Sequence, residues 1–115
     1  MRVIENTIPL LGVSNMEESI EFYTDKLEFK FDWQDETLSS LSKDGNTIML
    51  SSREDMVKGS WIWMGLHTET YMLSLLDKNI DVLQQPTNQP WAFEMKIKDP
   101  DGNVLWLAAA PREDH

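Results

Sequence analysis

The stretch Glu94 to Leu107, E-M-K-I-K-D-P-D-G-N-V-L-W-L, decides how the chain is read. Met95 and Ile97 alternate with Lys96 and Lys98, Asp99-Pro100-Asp101-Gly102-Asn103 turns the chain, and Val104 to Leu107 return as a largely buried strand. Proline presets a turn φ and glycine supplies φ > 0, so the punctuation has a mechanism. A weaker copy, Leu41-Ser42-Lys43-Asp44-Gly45-Asn46-Thr47-Ile48-Met49-Leu50, stands earlier. The two Asp-Gly-Asn turns are 101 − 44 = 57 residues apart in a chain of 115, half its length.

Working outward, the same order of elements appears twice. Thr7 to Val13 reads as a short strand with Pro9 at its start or edge. Asn15 with Glu18 three residues on predicts a helix start, and Met16, Ile20, Tyr23 and Leu27 mark one face of a helix running to about Lys26. Phe29, Phe31 and Trp33 alternate with polar residues as a half-buried strand, and Leu38–Ser42 with Thr47–Ser52 form the first hairpin. In the second half Trp61–Leu66 is a strand, and Thr68 or Thr70 caps a short helix with Met72, Leu75 and Leu76 inward. Asn79 stops that helix, Ile80–Leu83 is a strand, and Gln84–Pro90 is a loop. The expected boundaries are a first module over about 1–52, a polar connection over 53–60 and a second module over about 61–110. One βαβββ unit cannot cover both faces of its own sheet, so the expected fold is α+β, two βαβββ modules forming curved, half-open barrel-like sheets.

Composition narrows the function. The net charge of −10 opposes phosphate backbones and anionic lipid, so neither nucleic acid nor membrane is an expected partner. No cysteine is present, which removes disulfides and thiolate metal sites and fits a reducing compartment. With no spanning stretch and no apolar leader after Met1, the expected location is the cytoplasm. Glycines are scattered singly, so no phosphate-cradling loop is present, and no Ser/His/acid grouping is supported locally.

Val13 to Phe29, V-S-N-M-E-E-S-I-E-F-Y-T-D-K-L-E-F, together with K-D-P-D-G-N-V-L-W-L over Lys98 to Leu107, resembles the vicinal oxygen chelate superfamily of glyoxalases, bleomycin-resistance proteins and extradiol dioxygenases. Enzymes of that group hold a divalent metal with His, Gln or Glu on the first and last strands of each half. The resemblance places those positions at Ile8, near Leu50, at Trp63 and at Trp106, and none of these side chains offers a lone pair to a cation. The histidines, His67 and His115, fall elsewhere. The resemblance is therefore strongest to the metal-free bleomycin-resistance-like branch, supported by Gln89-Pro90-Trp91, although Phe93 stands where that branch often carries Arg.

That resemblance implies no cofactor and no catalytic residue. It implies a homodimer that sequesters a planar aromatic or cationic small molecule against Trp33, Leu50, Trp63, Trp91, Glu94 and Trp106, with Asp32, Asp35 and Glu36 also available as an acidic rim. Two alternatives stand beside it. The tryptophans can fill the core of the fold, or Glu94 or His67 can serve as a general base in a lyase, isomerase or dioxygenase-related enzyme, which would require Glu94 to be buried with a raised pKa.

Overall fold

The computed structural model describes residues 1–113, so the expectation for His115 lies outside the described residues. The chain divides into two compact units, Met1–Lys58 and Gly59 onward. Among the described residues each holds one four-stranded mixed sheet and a short α-helix that runs on into a turn of other pitch.

In the first unit β1 (Leu10–Gly12) leads to α1 (Met16–Glu21), then β2 (Lys30–Gln34), β3 (Leu38–Lys43) and β4 (Asn46–Ser51). The sheet order is β1-β4-β3-β2, with β1 parallel to β4 and the other pairs antiparallel. Asn15 caps α1, its side-chain oxygen accepting from the Glu18 N–H at 3.0 Å. The helix then widens into a π-helical turn over Phe22–Lys26, closed by the Leu27 N–H on the Phe22 carbonyl. Thr24 sits in that turn and its hydroxyl donates to the Ile20 carbonyl at 2.8 Å. One face of the sheet is the core of the unit: Leu11, Leu41, Ile48 and Leu50 are buried there, and the Ser39 hydroxyl on that face donates to Met16 of α1 at 3.2 Å. The expected alternation of Phe29, Phe31 and Trp33 is broken by a bulge between Phe31 and Trp33, and all of β2 is exposed.

The second unit repeats the order with β5 (Trp61–Gly65), α2 (Thr70–Ser74), β6 (Asp81–Asn88), β7 (Phe93–Lys98) and β8 (Val104–Ala109). Its sheet runs β5-β8-β7-β6 with β5 parallel to β8. Met95, Ile97, Leu105 and Leu107 form its core face, and Met72 of α2 and Leu75 of the 3-10 turn that follows it (Leu75–Asp77) add to the core. Two sequence expectations need correction here. Neither Thr68 nor Thr70 caps α2: the cap position is Glu69, with no side-chain capping bond, and its carboxylate instead forks with Arg112 at 2.6 and 2.9 Å. The expected loop from Gln84 is strand. β6 continues through Pro86 to Asn88, because it is the edge of its sheet and can spare the N–H that proline lacks.

The turns explain why the halves read as copies of unequal length. Asp44 (φ 52°) and Gly45 (φ 79°) make a two-residue hairpin of the primed kind between Lys43 and Asn46. The second hairpin needs five residues, 99–103, and is locked from within. The Asp99 carboxylate accepts from the Asp101 and Asn103 N–H groups and from the Asn103 amide, each at 2.9 Å. The Asn103 side-chain oxygen then accepts from the Gly59 and Ser60 N–H groups, both at 2.9 Å, so this turn also fixes the start of the unit.

Candidate functional site

Strand alternation sorts the second sheet into a core face and an indole face. Trp61 and Trp63 on β5 stand on the same side, because β5 pairs with β8 without interruption from Trp61 opposite Val104 to Gly65 opposite Ala108. Trp63 lies opposite Trp106, Trp106 opposite Lys96, and Lys96 opposite Gln84. Two residues along, Glu94 faces Ala108 on the same side. The indole face thus collects three tryptophans, a carboxylate, an ammonium and an amide on four neighbouring strands.

The aromatic part is open. Trp61 and Trp63 are 57% and 63% exposed, while Trp106 is partly covered. The Trp61 and Trp106 rings meet edge to face, with centroids 6.4 Å apart. The Trp63 ring folds along its strand over Gly65, where an added Cβ would come within 2.7 Å of it. The reading in which the tryptophans fill the core therefore fails for Trp61 and Trp63. The Trp106 indole N–H is buried and finds no acceptor among the described residues, the kind of orphan that native structures rarely leave.

The polar part is closed. Glu94 is 2% exposed and its carboxylate accepts from the Trp91 indole N–H at 2.8 Å and from the Gln84 amide at 3.2 Å. The Lys96 ammonium is 3.4 Å from the same carboxylate and donates to the Gln84 side-chain oxygen at 2.6 Å. It also sits 4.6 Å from the Trp106 ring centroid and 6.0 Å from that of Trp61. Burial pushes the Glu94 carboxyl up, but the hydrogen bonds from Trp91 and Gln84 and the Lys96 charge outweigh it and hold the pKa below the ordinary value. This overturns the raised pKa that a general base at Glu94 requires.

Of the residues expected to line a site, Trp63, Trp91, Glu94 and Trp106 come together in the second unit. Trp91 joins through its bond to Glu94, with its ring left 66% exposed. Trp33 lies in the first unit, opposite Ser40 and exposed. Leu50 is corrected: its side chain is fully buried on the core face of the first sheet, and Met49 is the residue that occupies the other face, opposite Leu10. Leu10 with Met49 is the first-unit counterpart of Trp63 with Trp106, while Ile8 precedes β1. Asp32, Asp35 and Glu36 are exposed residues of the first unit. Asp32 accepts from the Ser42 hydroxyl, and Asp35 caps the turn into β3 by accepting from the Thr37 and Leu38 N–H groups. His67 is exposed just beyond β5. Lys96, Gln84 and Trp61 went unselected in the sequence, although the alternation E-M-K-I-K already put Lys96 on the side of Glu94.

By register the first-unit counterparts of Trp63 and Trp106 are Leu10 and Met49 rather than Ile8 and Leu50, and among the described residues no three His, Cys, Asp or Glu side chains gather as a metal site.

Residues 7–107 match the family model described as Glyoxalase/Bleomycin resistance protein/Dioxygenase superfamily. The chain belongs to that superfamily. Solved structures agree on the fold. An antibiotic-binding protein from Streptomyces sp. CB03234, TnmS3, superposes with a TM-score of 0.81 at 20% identity, covering 96% of this chain and 98% of that one. TioX from Micromonospora sp. ML1 gives 0.81 at 10% identity over 92% and 98%. A glyoxalase/bleomycin resistance protein/dioxygenase from Nocardioides gives 0.75 at 19% identity over 98% and 89%. No curated protein matches the chain by sequence.

Proposed function

We propose that this superfamily member is a metal-free binding protein that sequesters a small planar aromatic molecule on the indole face of its second unit. The observation that carries the reading is the exposure of Trp61 and Trp63 beside the partly covered Trp106, on a sheet whose other face is a closed core. Exposed indoles gathered on one rigid face mark a binding surface, and each stacking contact contributes about 0.5–1.5 kcal/mol beyond the area it buries. Antibiotic binding by TnmS3 supports the class of ligand. The cationic ligand also implied by the resemblance is less well served, because the Lys96 ammonium already occupies the aromatic faces of Trp106 and Trp61. With apolar residues at the four metal positions, sequestration rather than catalysis is the activity the site supports.

The protein is further proposed to act as a cytoplasmic homodimer. The dimer is an inference from the family resemblance, and the location from the absence of cysteine. Among the described residues no helix is long and apolar enough to cross a membrane.

A planar aromatic ligand supplied at a hundredfold over its Kd should raise the unfolding free energy by about 2.7 kcal/mol and quench tryptophan emission, whereas Zn2+, Mn2+ or Mg2+ should give no comparable stabilisation. A metal-dependent rise of that size would overturn the metal-free assignment.

A further inference from the structure

We infer that Lys96 sets the charge preference of the indole face, making it a site for planar aromatic ligands that are neutral or anionic near the rings and turning planar cations away. The inference rests on the reading of this face as a ligand site and adds the chemical class that the site accepts.

Glu94 and Lys96 are neighbours on one side of β7 and their charges offset each other, but they are not equally accessible: the Glu94 side chain is 3% exposed and that of Lys96 19%. A molecule lying on the indoles therefore meets the ammonium first, with the carboxylate beneath it and already engaged by Trp91 and Gln84. A cation over an indole face is attracted by the ring quadrupole, and the Lys96 ammonium holds that position over Trp106 at 4.6 Å and lies within reach of Trp61 at 6.0 Å. A ligand cation would have to displace a tethered one and would be repelled by it, whereas a carboxylate, sulfonate or phenolate at the ring edge would be attracted. Lys96 is held by the Gln84 oxygen at 2.6 Å, so its charge is positioned rather than free to leave with solvent.

Remove the ammonium and the sign of the site reverses, because Glu94 keeps its charge on the hydrogen bonds from Trp91 and Gln84. The chain's net charge of −10 favours the cation over the anion in every variant alike, so it drops out when the ratio of one variant is compared with that of another.

The test compares 9-aminoacridine, a tricyclic cation at neutral pH, with anthracene-9-carboxylate, a tricyclic anion of similar size, by titration calorimetry. The proteins are the full chain, Lys96→Met and Lys96→Arg. Methionine keeps much of the apolar stem over Trp106, and arginine keeps the charge. The parent should bind the carboxylate more tightly. Lys96→Met should swing the affinity ratio toward the acridine by about tenfold or more, and Lys96→Arg should hold the parent ratio. If both probes bind and the ratio is the same in Lys96→Met, Lys96 does not set the preference, while the ligand-site reading survives. If neither probe binds the parent or the variants, the inference falls together with that reading. Thermal unfolding of each variant shows that the sheet is intact.

Discussion

Gly12 and Gly65 hold the same place in the two units. Gly12 ends β1 opposite Ser51, Gly65 ends β5 opposite Ala108, and Ser51 and Ala108 are separated by the same 57 residues as the two Asp-Gly turns. A Cβ added at Gly12 would lie 2.4 Å from the Val57 carbonyl oxygen and 3.0 Å from its carbon, so main chain closes that end of the first sheet. A Cβ added at Gly65 would meet only the tip of the Trp63 ring, at 2.7 and 2.9 Å. The rest of the two faces differs in the same sense. Leu10, Met49, Ser40 and Trp33 in the first unit correspond by register to Trp63, Trp106, Lys96 and Gln84 in the second. One topology thus carries a first-unit face of Leu10, Met49, Ser40 and Trp33 with main chain against its Gly12 end, and a second-unit face of indoles and paired charges with only the Trp63 ring against Gly65. Duplicated architecture does not imply duplicated chemistry.

The turns should show the largest contrast. Asn103 is fully buried and serves two N–H groups and a carboxylate, whereas Asn46 is exposed and its amide only reaches carbonyls of its own turn at 3.1 and 3.5 Å. Asn103→Ala should cost about 3 kcal/mol, since it leaves buried donors without an acceptor, and Asn46→Ala under about 0.5 kcal/mol. Urea midpoints of the two variants measure the gap. Equal losses would show that the second turn is no more of a lock than the first.

The glycines come next. Gly12→Ala should destabilise by about 2 kcal/mol because the backbone of the connection must shift to admit the methyl. Gly65→Ala should change stability by less than about 0.5 kcal/mol while altering tryptophan emission, since the Trp63 ring swings aside. A loss at Gly65 as large as at Gly12 would mean that the indole is as fixed as main chain, and the contrast between the faces would fail.

How far the sequence discloses this contrast depends on the kind of signal. The Asp-Gly turns, the Asn15 cap and the alternation of β7 are written in local chemistry, so the two-module order is legible, and the apolar residues at the metal positions follow from it. The bulge in β2 is not legible, because Phe29, Phe31 and Trp33 keep a perfect period of two while the register slips between them. The Leu50 error has the same origin: a shift of one residue moves a side chain to the other face of the sheet, and the sequence does not fix the register to one residue. Thr68 and Thr70 are good cap residues by type, yet the backbone uses Glu69, whose carboxylate is bound to Arg112 from 43 residues away. The Glu94–Lys96–Gln84–Trp91 cluster draws its last two members from β6 and from the turn before β7. Only the folded sheet shows that they converge.

The smallest of these effects is the most specific to the site. Leu38, opposite Ser51, stands where the second unit has Glu94 opposite Ala108, so only the second face carries a titratable group at this place. The hydrogen bonds from Trp91 and Gln84 and the Lys96 charge outweigh burial and hold the folded-state pKa of Glu94 below its ordinary value, so the group stabilises the fold in its charged form. That contribution is fully present above the unfolded-state pKa of about 4.3 and is lost as pH falls through the lower folded value. Glu94→Gln should be less stable than the parent by a constant margin from pH 7 to about pH 5, and the margin should narrow below about pH 4 as the parent takes up its proton. Leu38→Gln at the matching position should show no such narrowing. A margin independent of pH down to full protonation would mean that Trp91, Gln84 and Lys96 do not favour the carboxylate over the acid, and the ionic floor of the indole face would have to be abandoned.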